Sequence, residues 1–123
     1  MTTRFDSDCV GTREILSLVG DKWSVLVIVN LGEGDLRFSD LKRAISGISQ
    51  RMLTHTLRRL ECDGLVSRTV TPTVPLRVDY ALTALGQTLL EPVTHLALWA
   101  QSHQAEIQGA RDAFQRASGA KAK

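Results

Sequence analysis

Apolar positions in the first half of the chain recur at helical spacing, alternate after Gly64, and return to helical spacing beyond Thr83. From Thr12 to Val19, the residues Ile15, Leu16 and Val19 predict a first helix, with Thr12 as its N-cap and Gly20 as its stop. Ser24 opens a second, in which Val25, Leu26, Val27, Ile28, Val29 and Leu31 are apolar nearly all round before Gly32 and Gly34. A short helix of that kind belongs in a core. Leu36-Arg37-Phe38 is a brief extended piece, and Ser39 caps a third helix with Leu41, Ala44 and Ile45 on its apolar face. After the turn Ser46-Gly47-Ile48, Ser49 begins a stronger helix that runs to Asp63 and stops at Gly64, with Leu53, Leu57 and Leu60 forming one inward stripe.

Past Gly64 the period shortens to two. Val66, Arg68 and Val70 share one side of a first strand; Val78, Tyr80 and Leu82 share one face of a second, with Arg77 and Asp79 on the other. The intervening Thr71-Pro72-Thr73-Val74-Pro75-Leu76 is a loop, so the segment is a two-stranded hairpin. Thr83 then caps a helix containing Leu85, Leu89 and Leu90, and Pro92 is expected to kink or restart it. Leu89, Val93, Leu96, Ala100, His103, Ile107, Ala110 and Phe114 continue as an alternating four-and-three seam. That seam is longer than a small domain buries alone, so part of it is expected to pack on a second chain. A dimerisation helix over about 92–116 and a flexible tail over 117–123 follow from this pattern.

Composition makes this one domain, 1–123 with a core over 9–101: 123 residues, 43% of them apolar, suffice for one core, and no repeat or linker divides them. Cys9 and Cys62 stand too far apart in sequence to form a disulfide scaffold or a close metal-binding pair, which suggests a reducing compartment. The segment Met1 to Asp8 lacks the apolar core of a secretory signal. The longest apolar runs, Val25 to Val29 and Leu96 to Ala100, fall far short of the ~20 residues of a membrane span. A cytoplasmic protein without membrane contact is expected.

Charge changes the picture more. The formal net charge is only +2. Between Arg37 and Arg77, however, stand eight bases (Arg37, Lys42, Arg43, Arg51, Arg58, Arg59, Arg68, Arg77) and three acids (Asp40, Glu61, Asp63). The central block therefore carries +5 and the remainder −3, the footprint of a polyanion-binding surface.

The element order is that of a winged helix-turn-helix: mainly α, with a small β-hairpin wing. Such a unit places its second helix in the DNA major groove. With Leu53 toward the core and ~100° per residue, Arg51, His55 and Arg58 cluster at the opposite pole, Thr54 and Arg59 flank them, and Gln50 sits in the first turn. Arginine matches the guanine edge and glutamine the adenine edge. Gln50, Arg51 and His55 are therefore assigned to base reading and Arg58 to the backbone. Arg68 and Arg77 on the hairpin are assigned to the minor groove or flanking phosphates, and Ser39 and Ser49 mark helix N-termini whose amides can meet phosphate. A merely solvated face is the alternative for any one arginine, although such a face would mix signs.

The residues also resemble the HxlR-type bacterial transcription regulators, relatives of the MarR group. The blocks that carry the likeness are Gly20-Asp21-Lys22-Trp23, Arg37-Phe38-Ser39-Asp40-Leu41, Gly47-Ile48-Ser49, Met52-Leu53, Leu57-Arg58-Arg59-Leu60-Glu61, Asp63-Gly64-Leu65-Val66, Val74-Pro75, Val78-Asp79-Tyr80, Leu82-Thr83 and Gly86, spanning about Cys9 to Trp99. The resemblance implies homodimeric repressors or activators with the N- and C-terminal helices building the dimer. It also implies, in some members, a cysteine just before the first helix that senses quinones, aldehydes, hypochlorite or disulfide stress. Cys9 stands there, followed by Val10 where the family often has proline, and Cys62 falls where an acidic or polar residue is more usual.

Several alternatives stay open from sequence. Cys9 is either an oxidant or electrophile sensor, helped by Arg13 and opposed by Asp6 and Asp8, or an inert structural thiol. Cys62 is a surface or interface thiol, and Trp23 a core or dimer-core anchor. His95, Trp99 and His103 form a helical stripe, but no ligand set completes it, so no metal and no cofactor is expected. An enzyme is not expected either, since no Gly-rich phosphate loop, nucleophile elbow or paired carboxylates are present. The competitors to a thiol-switched DNA-binding regulator are one answering a small molecule at the dimer interface and a winged helix used only for protein contacts.

Overall fold

The second, third and fourth helices each start where a carboxylate or hydroxyl accepts a backbone amide of the first turn or cap. The computed structural model describes residues 10–122, in the order α1 (Val10–Val19), α2 (Lys22–Leu31), β1 (Leu36–Arg37), α3 (Phe38–Ala44), α4 (Gln50–Cys62), β2 (Val66–Thr71), β3 (Arg77–Leu82) and α5 (Ala84–Ala122). The mainly helical winged helix-turn-helix expected from the pattern is the fold observed.

α2 is capped by Asp21 rather than by Ser24. The Asp21 carboxylate accepts from the Ser24 amide at 3.2 Å and from its hydroxyl at 3.1 Å, which lets Ser24 sit fully buried inside the first turn. α3 also begins earlier than expected: its cap position is Arg37, whose amide donates to Asp40 Oδ2 at 3.3 Å, and Ser39 is the second helical residue. Phe38 packs against the core, which draws the helix start back by that residue. Ser49 does cap α4, its hydroxyl accepting from the Met52 amide at 3.0 Å. The α4 C-terminus closes with the Gly64 amide on the Glu61 carbonyl at 3.0 Å and the Leu65 amide on the Leu60 carbonyl at 2.9 Å. That closure needs Gly64 at φ +75°, a conformation only glycine adopts cheaply.

The core centres on α2. Val27, Ile28 and Leu31 meet Leu41, Ile45 and Ile48 of the α3 region, Leu53, Leu57 and Leu60 of α4, and Leu65, Val66 and Val93, all buried. α1 departs from its expected inward face: Leu18 is the residue in the core, whereas Ile15 and Leu16 are exposed at 63% and 57%. The hairpin gains a third strand, in the order β1-β3-β2, because Leu36 and Arg37 pair antiparallel with Tyr80 and Asp79. This pairing ties the entry of α3 to the wing.

α5 is one continuous helix through Pro92 and does not restart there. Proline removes one amide donor, but Leu89, Leu90, Val93 and Ala97 on either side pack against the core, and that packing holds the helix across the gap. The helix runs on through Ala122.

Candidate nucleic-acid interface

α4 separates its residues by face. Leu53, Thr56, Leu57 and Leu60 are buried, and Gln50, Arg51, Thr54, His55 and Arg58 are exposed. Those five exposed residues line one shallow surface concavity. Thr56 was not foreseen as a buried position, since a hydroxyl-bearing side chain gives no apolar signal in sequence.

The wing extends this surface. Thr54 and Arg58 of α4, Arg68 of β2 and Tyr80 of β3 line a second concavity, together with Leu57 and Glu61. A third lies between the first turn of α3 and the wing loop, lined by Arg37, Ser39 and Arg77 among others. Eight of the nine expected contact residues thus line three depressions, the two on α4 sharing Thr54 and Arg58 and the third lying apart between α3 and the wing loop. Ser49 is the exception: it lines none of them, and its hydroxyl is committed to the Met52 amide. Arg37 and Tyr80 join the surface without having been singled out as contacts. Arg37 could have been found from the basic block itself; Tyr80 could not, because its place depends on the strand register.

Among the described residues, only two ion pairs form: Arg43 to Asp40 at 2.6 Å and Arg77 to Asp79 at 3.0 Å. Arg51, Arg58 and Arg68 therefore have no carboxylate partner there, and their guanidinium groups face outward with donors unspent. Guanidinium donors can pair bidentately with a base edge or a phosphate. Arg77 differs, since its charge is already matched by Asp79.

A second exposed surface runs along α1 and α5. Ile15 and Leu16 on α1, and Leu85, Leu96, Leu98, Trp99 and Phe114 on α5, are apolar and uncovered in the single chain. Trp99 stacks on His103 with ring centroids 4.7 Å apart, and His103 Nδ1 lies 2.8 Å from the Trp99 carbonyl oxygen. The expected seam is split accordingly, with Val93 buried and Leu96 and Phe114 outward. Trp23 is half-buried against the core and carries the Lys22 ammonium 4.7 Å from its ring centroid. Among the described residues, no cluster of His, Cys, Asp or Glu could hold a metal, and no helix is long and apolar enough to cross a membrane. Cys62 is exposed near the end of α4; Cys9 lies outside the described residues.

Two helices joined by a glycine turn, an outward α4 and a hairpin wing define a winged helix-turn-helix regulator. The chain belongs to the HxlR family: the model for the HxlR-like helix-turn-helix matches residues 18–108. It is 45% identical over 101 residues to the uncharacterized HTH-type transcriptional regulator YtfH of Escherichia coli (strain K12), covering 82% of this chain and 80% of that protein. Among solved structures it is similar to the putative transcriptional regulator ytfH from Salmonella typhimurium, with a TM-score of 0.76, 40% identity and coverage of 82% and 90% of the two chains. It is also similar to the redox regulator HypR in its reduced form, with a TM-score of 0.72, 35% identity and coverage of 80% and 98%. The protein is a transcriptional regulator of the helix-turn-helix type and not an enzyme.

Proposed function

We propose that the protein binds a pseudo-palindromic double-stranded DNA operator as a homodimer, with the α4 of each copy in one of two successive major grooves about 34 Å apart. The observation that carries this reading is the single outward concavity of Gln50, Arg51, Thr54, His55 and Arg58 on a helix whose opposite stripe is buried. Gln50, Arg51 and His55 read bases, Thr54 supports them, and Arg58 holds the backbone. Arg68 and Arg77 serve the flanking DNA, and the first turns of α3 and α4, marked by Ser39 and Ser49, offer amides to phosphate.

The test is a gel shift on DNA from upstream of the protein's own coding region, titrated with salt. Log affinity is expected to fall steeply and linearly with log salt as counterions are released. A flat dependence would instead support a winged helix used for protein contacts.

For regulation, Cys9 is assigned a thiol switch answering an oxidant or electrophile. Its place in sequence just before α1 and the likeness to HypR, a redox regulator, support this reading. An oxidant that takes two electrons and two protons from a pair of thiols would leave a disulfide able to re-space the reading helices. Operator binding by the wild type is then expected to respond to diamide or a quinone, and that of Cys9→Ser to ignore it; identical responses exclude Cys9. A second reading, a small-molecule effector at the dimer face, is favoured by a cleft of about 460 Å³ lined by Ile15, Leu18, Leu65, Leu85 and Leu89.

A further inference from the structure

The end of the wing offers hydrocarbon where its base offers charge. No acid stands between Asp63 and Asp79. β2 and β3 stay in register from Val66 opposite Leu82 to Thr71 opposite Arg77, and the loop beyond them ends in Val74 and Leu76, exposed at 101% and 61%. This tip is braced: the Thr73 amide donates to the Thr71 carbonyl at 2.8 Å, and the Thr73 hydroxyl donates to the Pro75 carbonyl at 2.9 Å, across Val74. The nearest cation, Arg77, is turned along its own strand onto Asp79. An uncharged apolar point on a braced loop costs free energy in water unless something covers it.

The dimensions indicate what covers it. Val66 is buried beside α4, and the six residues of β2 carry the chain outward by about 20 Å at ~3.4 Å per residue. On B-DNA, the minor groove next to an occupied major groove lies about half a helical turn away, or about 17 Å. Between these two points Arg58 and Arg68 line one concavity with Glu61; neither arginine pairs with a carboxylate among the described residues, and two cations against one anion leave the surplus that a phosphate backbone needs. DNA seated on α4 thus brings its minor groove under the tip.

Resting on the reading above, we propose that Val74, Pro75 and Leu76 form an apolar wedge that enters this minor groove and selects operators by the deformability of the step beneath it. A minor groove ~6 Å wide must open to admit such side chains, and opening partly unstacks the base step. Pyrimidine–purine steps such as TA yield easily, whereas stiff A-tracts keep a narrow groove suited to arginine. The wing therefore favours a flexible flank, a preference independent of the bases that α4 touches.

The test uses the full chain and the duplex that the wild type recovers from a randomised pool, end-labelled for energy transfer, with either a TA step or an A-tract at the flank. Wild type should prefer the TA flank by roughly tenfold and bring the duplex ends closer. Val74→Ser combined with Leu76→Ser should abolish both preference and bend while leaving the salt slope unchanged. Val74→Arg should steepen that slope by about 0.9 and turn the preference toward the A-tract. Both positions are exposed, so circular dichroism should show intact folds.

The wedge is overturned if the double serine variant keeps flank preference and bend, or if Val74→Arg leaves the slope unchanged. It is equally overturned if the tip variants alter only self-association of the free protein, which would give the tip to a second copy. Recovery of no duplex by the wild type would instead overturn the DNA-binding reading itself, and Arg51→Ala, weakening both flanks alike, separates the α4 contribution from that of the tip.

Discussion

Arg51 and Arg58 are available to a ligand because Leu53, Thr56, Leu57 and Leu60 fix the opposite face of their helix in the core. Arg51→Ala is expected to cost about 1–3 kcal/mol of operator affinity and relax preference at one base position, whereas Arg58→Ala should weaken all sequences alike and lower the salt slope by about 1. Fluorescence anisotropy on matched and single-base-changed duplexes checks both, and unchanged affinity for both variants would remove α4 from the interface. Gly86 shows the opposite kind of constraint. A Cβ there would collide with the Leu65 carbonyl oxygen, which already accepts the Thr83 amide at 3.1 Å. Gly86→Ala must therefore push α5 away from the root of the wing, and a loss of about 1–3 kcal/mol in urea unfolding is expected. Gly86 was visible in sequence only as part of a family block; the backbone approach that requires it arises from two elements folded together.

Elements were legible where local chemistry and periodicity agreed. α4 has its cap at Ser49, its stripe at Leu53, Leu57 and Leu60 and its glycine stop, so both its span and its outward residues could be read directly. Ser49→Ala should accordingly cost about 1 kcal/mol of stability, measured as a lowered thermal midpoint, because the Met52 amide loses its acceptor. Tertiary contacts decided the rest. Apolar residues cover more than one side of α1, and its packing on α2 selected Leu18 over Ile15 and Leu16. Two residues of β1 carry no readable alternation, and only pairing with β3 makes them a strand. Pro92 gives a local signal to stop, which the buried Val93 and the partly buried Leu89 override by packing on the core.

At the scale of the whole molecule, the charge and the apolar surface separate. The block from Arg37 to Arg77 carries the +5 surplus and forms the α3, α4 and wing surface; α1 and α5 are each neutral in sum and carry Ile15, Leu16, Leu85, Leu96, Leu98, Trp99 and Phe114 exposed, while Val74 and Leu76 stand apart at the wing tip. A molecule so divided can keep one surface for a polyanion and the other for a copy of itself. α5 has 39 residues, or about 58 Å of helix at 1.5 Å per residue, far more than α2 alone can cover. Leu96, Trp99 and Phe114 should then lie within the roughly 800 Å² per partner that a stable dimer buries. Replacing Leu96 and Trp99 by lysine places two charges at that contact, and because both side chains are more than half exposed in the single chain, the folded monomer should survive. Light scattering on the wild type is expected to give twice the chain mass, and on the double variant the mass of one chain. The operator experiment completes the argument, since a monomer holds one half-site and gives up the second α4 bound beside it. The double variant should retain a folded circular dichroism spectrum and an intact α4, yet lose most of its preference for a two-half-site operator over a single half-site. A double variant that still runs as a dimer with full operator preference would place the contact elsewhere than on this face of α5.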